Sequence, residues 1–288
     1  MGYFEVLGLE KEPFSTSPDP EFFYLSKEHE RALTNSLIEL RLKRGLSIIL
    51  GDVGTGKTTL SRKLIQELKE RKDFCFHVIF DPSFESEHLF LEYLVRNFNC
   101  PINTDHKPTL IDLKESLESF LFQKGVSENK IIALVIDEAQ KLNPVSLEVL
   151  RVLLNYETNE FKLLQLVLLG QMEFYYTIMN IPNFFDRISF KFTLNPLDYK
   201  ETKEMIDFRL KQAGYKARRH LFLEDGTRKI YEYTQGYPRQ ITMLCYKALK
   251  KLILDNKLAI DGRMIEEIIN EEEKTGWHKT GLPLKRNY

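Results

Sequence analysis

The chain has 288 residues, 43% of them apolar and 12% aromatic, enough to bury a full core in one large domain or two modest ones and to exclude a disordered tail. Its 41 basic and 42 acidic residues leave a formal net charge of −1, so no global field draws it to nucleic acid or anionic lipid, and such a partner would need a local patch. Cys75, Cys100 and Cys245 are odd in number and show no C-x-x-C spacing, which suggests neither a disulfide framework nor a zinc site and fits a reducing cytoplasm.

The longest uninterrupted apolar run near the middle, Ile131 to Ile136, is six residues long, far below the roughly 20 that cross a bilayer. The N-terminus, Met1 to Val6, has no basic region, signal-type apolar stretch or myristoylation serine, so export and lipid anchoring are not expected.

In chain order, the turn-rich opening Glu12 to Pro20 reads as loop, and Leu33, Leu37 and Leu40 with flanking charges predict a helix over about 26–44. A regular alternation follows: strand 46–50, helix 58–70, strand 74–80, helices 87–98 and 110–124, strand 131–136, helix 144–155, strand 164–169 and a last strand 189–194. Strands alternating with helices imply parallel βαβ units, and the unbroken apolar run 131–136 suits a strand covered on both faces. Beyond Pro196 the chain reads helical: Asp198 with Glu201 forms a capping box for a helix ending at Gly214, Pro238 opens another, and Asp261 caps a third reaching about Lys274. The expected fold is α/β, a parallel five-stranded sheet flanked by helices with a small C-terminal helical domain. Its expected divisions are an N-terminal segment 1–44, a core 45–195, a helical domain 196–275 and a tail 276–288.

Gly51 to Thr58 matches G-x-x-x-x-G-K-T in full, after a predicted strand and before a predicted helix, which is the setting a phosphate loop requires. Glycines Gly51, Gly54 and Gly56 let the backbone N–H groups turn inward, Lys57 reaches terminal phosphates, and the Thr58 hydroxyl is a ligand for Mg2+. Val53, Thr55 and Thr59 complete the expected nucleotide-contacting set. At the carboxyl end of the 131–136 strand stand Asp137 and Glu138, on the edge where open α/β sheets bind ligands. Asp137 suits the metal, through water, and Glu138 suits orienting and polarising the water that attacks the γ-phosphate. ATP and Mg2+ are the expected ligands, and hydrolysis the expected reaction.

Asp137-Glu138-Ala139-Gln140 is also similar to helicase D-E-x-x signatures, but no second RecA-like half is seen, and the helical C-terminal region points to the AAA+ class. The chain resembles the ExeA/GspA-type AAA+ ATPases of type II secretion and MSHA-type pilus biogenesis. The likeness runs through Tyr3-Phe4, Leu7-Gly8-Leu9, Pro13-Phe14, Pro18-Asp19-Pro20, Phe23 to Ser26, Gly51 to Thr59, Ile136 to Gln140, Leu150 to Asn155 with Glu157-Thr158, Gly170-Gln171, Arg187-Ile188 and Gly236 to Arg239. It implies that Gln171 is sensor 1, with a loop polar residue as the alternative, although the family usually has Pro where Met172 stands. It implies that Arg187 is an arginine finger entering a neighbouring subunit's site, with a solvated arginine as the alternative. It implies that Arg239 is sensor 2, which fits a cation placed in a first helical turn, where the macrodipole disfavours it unless an anion is bound; a salt bridge to the core is the alternative.

Of the aromatics Phe4, Phe14, Phe22, Phe23 and Tyr24, some would wall an adenine pocket in such a family, while core packing is the plainer reading for most. The basic clusters Arg41-Lys43-Arg44 and Lys216-Arg218-Arg219-His220 lack interleaved stacking aromatics, so a solvated face is favoured over nucleic acid. Glu271 to Glu273 reads as helix surface. The resemblance implies a homo-oligomer, ring or filament, formed with nucleotide. It also implies a cytoplasmic protein, peripheral to the inner membrane through a membrane-bound envelope partner, that remodels a secretion or pilus machine. Long family members continue into a transmembrane helix and a periplasmic domain, so this chain is expected to correspond to their ATPase module or to the short members. The rival expectation is a DNA-bound, transposition-type AAA+ regulator that recruits a transposase.

Overall fold

The computed structural model of the chain describes residues 3–17, 19–102, 106–216 and 219–274; Pro18, Arg218 and the expected tail 276–288 lie outside them. The chain forms two units, 25–195 and 1–24 with 196–288.

In unit 25–195, helix α1 (Lys27–Arg41) starts where Ser26 caps the His29 N–H. Strand β1 (Leu46–Gly51) leads to α2 (Lys57–Lys69), then β2 (Phe74–Ile79), α3 (Glu87–Asn97) and α4 (Leu110–Phe122), which runs on into a π turn at Gln123–Ser127. Strand β3 (Ile131–Ile136), α5 (Pro144–Leu153), β4 (Leu164–Gly170), α6 (Met172–Met179), α7 (Pro182–Phe185) and β5 (Ile188–Leu194) complete it. The five strands lie in the order β2-β3-β4-β1-β5, every pairing parallel.

Burial follows the pattern in the residues. The apolar runs of β1, β3 and β4 are buried along their whole length, as strands covered on both faces must be. The outer strand β5 alternates half-buried and exposed residues until its last. Because Ile136 pairs with Leu168, and Leu50 with Gly170, β1, β3 and β4 end together. That shared carboxyl edge holds the candidate site.

In the other unit, α8 (Tyr199–Gln212) has the expected capping box between Asp198 and Glu201, α10 (Pro238–Leu254) opens on its proline, and Asp261 accepts from the Met264 N–H near the start of α11 (Gly262–Lys274). Between α8 and α10 lies α9 (Glu224–Thr234), in the stretch read as helical but given no bounds of its own: its N-cap is Leu223, without a side-chain cap bond, and it contains Gly226. Residues 3–24 pack with these helices. Phe14, 1% exposed, meets Phe222 edge-on at 5.8 Å, and the buried Arg209 guanidinium donates to Thr242 Oγ1 at 2.5 Å and to the Ser15 carbonyl at 3.2 Å. Burial lowers the Arg209 pKa to about 10. The expected segment 1–44 is therefore shared between units: α1 goes with the sheet, and 3–24 with the helices.

Gly236 turns the chain into α10 at φ 78°, and a Cβ there would lie 1.9 Å from the Leu197 carbonyl oxygen. Gly236→Ala is expected to destabilise this unit by about 3 kcal/mol, read as a melting-temperature drop of roughly 10 °C. No helix among the described residues is long and apolar enough to cross a membrane.

Candidate nucleotide site

The loop between β1 and α2 is shaped by its own composition. Gly54 (φ 88°) and Gly56 (φ 97°) occupy left-handed backbone, which residues with a Cβ rarely adopt, and Gly56 is the N-cap of α2. The helix N-terminus, where N–H groups lack intrahelical partners, therefore opens onto the loop. Lys57 is 7% exposed. Its ammonium donates to the Gly51 and Asp52 carbonyls, each at 2.8 Å. Burial lowers its pKa, opposed first by Glu138 and then by Asp137.

A support absent from the sequence reading is His29 on α1, 1% exposed. Its Nε2 lies 2.9 Å from the Thr55 carbonyl and its Nδ1 2.7 Å from Ser26 Oγ. A carbonyl only accepts, so Nε2 carries the proton and the Ser26 hydroxyl donates to Nδ1. The neutral ring thereby ties α1 to the middle of the loop. Burial depresses the His29 pKa below its ordinary 6.5. Below pH 6.5 the unfolded chain binds this proton more readily than the folded one, so stability is complete above about pH 6.5 and falls as pH drops further. His29→Asn is expected to flatten that fall in thermal unfolding scans from roughly pH 7.5 to 5.5, about one unit either side of the ordinary His pKa. Comparison with wild type separates it from Asp137, whose raised pKa slopes the other way.

Asp137, 2% exposed, follows β3 directly. Its N–H donates to the Ile79 carbonyl at 2.8 Å. Its carboxylate accepts from the Glu138 N–H at 3.0 Å and from Ser61 Oγ at 3.1 Å, and the Thr58 side chain also hydrogen-bonds it. Thr58 and Ser61 are three apart on α2, hence on one helical face. Burial raises the Asp137 pKa against these bonds. The donor set here, a hydroxyl and a carboxylate, is all oxygen, as Mg2+ requires. Among the described residues no group of three or more His, Cys, Asp or Glu could hold a metal by itself.

Glu138 turns away from the strand in left-handed backbone (φ 54°, ψ 38°). Gln171 caps α6 directly after β4, and its N–H donates to Gln140 Oε1 at 3.0 Å. Met172, at the usual proline position, begins α6 and packs against the core. The structure thus brings Gly51 to Thr59, Asp137, Glu138 and Gln171 to one edge of the sheet.

Arg187 lies at the other edge. It precedes Ile188, which pairs with Leu46, the first residue of β1, so the length of a six-residue strand, about 20 Å, separates it from Gly51. Its guanidinium donates to Asn155 Oδ1 at 2.6 Å and to the Asn183 carbonyl. Arg239 is exposed in the first turn of α10, in the helical unit. Phe14 and Phe22 are buried within that same unit. Of the basic clusters, Lys43 lies over the Phe161 ring at 4.1 Å, and Lys216 pairs with Glu10 at 3.0 Å.

A family described as AAA domain matches residues 40–178, the stretch that contains the phosphate loop, both acids and Gln171. General secretion pathway protein A of Aeromonas hydrophila is 34% identical over 249 residues, 86% of this chain and 44% of that protein; the chain spans less than half of that relative. Among solved structures, Cdc6p from Pyrobaculum aerophilum aligns with a TM-score of 0.63 at 18% identity, covering 86% of this chain and 67% of that one. The RuvB Holliday junction branch migration motor of Thermotoga maritima aligns at 0.54 and 16%, covering 84% and 68%. At such identities these two show the fold alone. Residues 40–178 thus match the AAA domain family, and with the fold, the phosphate loop and the 34% identity in agreement the chain is similar to the AAA+ ATPases of the ExeA/GspA type over the part they share.

Proposed function

We propose that this ATPase hydrolyses ATP with Mg2+ in a site completed by a neighbouring copy, and that the cycle remodels a cell-envelope secretion machine. The observation that carries the catalytic part is the meeting of Lys57, Asp137 and Glu138 at the shared end of β1 and β3. Bound Mg2+ would supply charge neutralisation at the phosphates. Thr58 and Asp137 would hold it, Lys57 and the loop N–H groups would orient the phosphates, and Glu138 would accept a proton from the attacking water. Gln171 would contact the γ-phosphate region as sensor 1.

Arg187 stands about a strand length, about 20 Å, from its own phosphate loop, which supports a role towards another subunit. Arg239, in the helical unit, is assigned to nucleotide sensing on the family resemblance and on its first-turn position. The secretion role rests on the likeness to general secretion pathway protein A; a pilus machine is the other member of that class. The chain would act at the cytoplasmic face of the inner membrane through a membrane-bound partner.

The test is Mg2+-dependent ATP turnover and sedimentation of the purified chain as protein concentration rises. Nucleotide-dependent assembly with rising specific activity is the expected result. A monomer whose specific activity is constant would remove the shared-site reading.

A further inference from the structure

One side chain at the sheet edge bonds both to the proposed water-activating carboxylate and to the sensor strand. Gln140, in the short helical turn Ala139–Lys141 that follows Glu138, donates from Nε2 to Glu138 Oε2 at 2.6 Å, and its Oε1 accepts the Gln171 N–H at 3.0 Å. A carboxylate only accepts and a backbone N–H only donates, so the two partners fix which way the amide faces.

The turn that returns Gln140 to Glu138 is itself held by backbone bonds from Lys141 N to the Glu138 carbonyl at 2.9 Å and from Leu142 N to the Ala139 carbonyl at 3.0 Å. At its other end, Gln171 follows Gly170, the last residue of β4, which is paired with Leu50 of β1. The amide therefore connects a turn in uncommon left-handed backbone to a fully paired strand.

We propose that Gln140 is a positioning residue that holds the Glu138 carboxylate for water activation and sets its distance from the β4 end at Gln171. This rests on the assignment of Glu138 as the water-activating group. A carboxylate that must meet water in line with a phosphate has to be held to within about half an ångström, and the Glu138 carboxylate is placed by three rotatable side-chain bonds unless something fixes them. The charged groups facing it, Lys57 and Asp137, act through field and give no direction; the amide bond does. Only glutamine has this length with both a donor and an acceptor at its tip. Glutamate in its place keeps the acceptor for Gln171 and sets a like charge against Glu138, while methionine keeps the length and loses both bonds.

The experiment is steady-state ATP hydrolysis by the full chain with Gln140→Met and Gln140→Glu, each alone and with Glu138→Gln. Both single variants are expected to lower kcat roughly 10-fold or more, with KM and the affinity for a fluorescent ATP analogue within about twofold and thermal stability close to wild type. In the Glu138→Gln background, Gln140→Met is expected to cost nothing further, because the residue acts through the lost carboxylate. Wild-type kcat in both Gln140 variants, or losses that multiply with Glu138→Gln, would overturn the positioning role. A Glu138→Gln protein at the wild-type rate would overturn the assignment of Glu138 as well. An inactive Glu138→Gln protein beside fully active Gln140 variants would overturn the Gln140 role alone.

Discussion

Glu138→Gln is expected to lower kcat by about 10²–10⁴-fold, the usual span for removing a positioned general base, while ATP binding stays within about twofold. The amide keeps the shape of the side chain but accepts a proton poorly, so the loss falls on the chemical step. The groups proposed to hold the phosphates and Mg2+ are untouched: Lys57 stays anchored on the Gly51 and Asp52 carbonyls, and Asp137 keeps its bonds to Ser61 and the Glu138 N–H, a backbone donor that the substitution leaves in place. Phosphate release under saturating ATP, with calorimetry for binding, separates the two effects. Near-normal turnover would move the base elsewhere.

Arg187→Ala is the second large effect, an expected loss of about 100-fold or more in kcat with ATP binding retained. A cation delivered to the transferring phosphoryl group contributes that much or more where it has been measured in phosphoryl-transfer enzymes. A strand length of about 20 Å prevents Arg187 from reaching its own phosphate loop, so the loss should appear only where copies meet: wild-type specific activity should climb with protein concentration, and the variant's should stay flat. Arg187→Lys should not restore the rate, because an ammonium lacks the planar fork. The bonds to Asn155 and to the Asn183 carbonyl mean that Arg187→Ala also removes some local stability, on the order of 1 kcal/mol. A thermal melt of the variant isolates that contribution, and a small melting shift with a large loss of rate is the expected pair of results.

The sheet was legible because its strands are short apolar runs separated by capped helices. Ile131–Ile136 has the expected bounds, and the Asp198–Glu201 box appears as read. The helices for which no bounds were expected had weak local signals. Helix α6 has Gln171 as its N-cap with no side-chain cap bond, α7 is a four-residue turn opening on Pro182, and α9 has Leu223 as its N-cap and carries a glycine. Their helicity comes from packing: Phe174 and Phe184 are fully buried in the sheet unit, as is Ile230 in the helical one. At the site, the loop and the acids stood out because their residue types and spacing follow a fixed pattern, G-x-x-x-x-G-K-T after one strand and an acidic pair at the end of another. His29, Ser61 and Gln140 were not. A histidine 26 residues from its carbonyl partner, or a serine 76 residues from its carboxylate, leaves no mark on a sequence until the fold brings the two together. The split of residues 1–44 was hidden for the same reason, since Arg209 bonds the Ser15 carbonyl across 194 positions.

Hydrolysis by a site shared between copies is tested most directly by mixing two inactive proteins, Glu138→Gln, which retains Arg187, and Arg187→Ala, which retains Glu138. When the two assemble together, some sites combine the Glu138 of one subunit with the Arg187 of its neighbour. ATP turnover in the mixture well above that of either protein alone is the expected result. A mixture that hydrolyses no faster than the average of its parts, under conditions where the two sediment together, would contradict it.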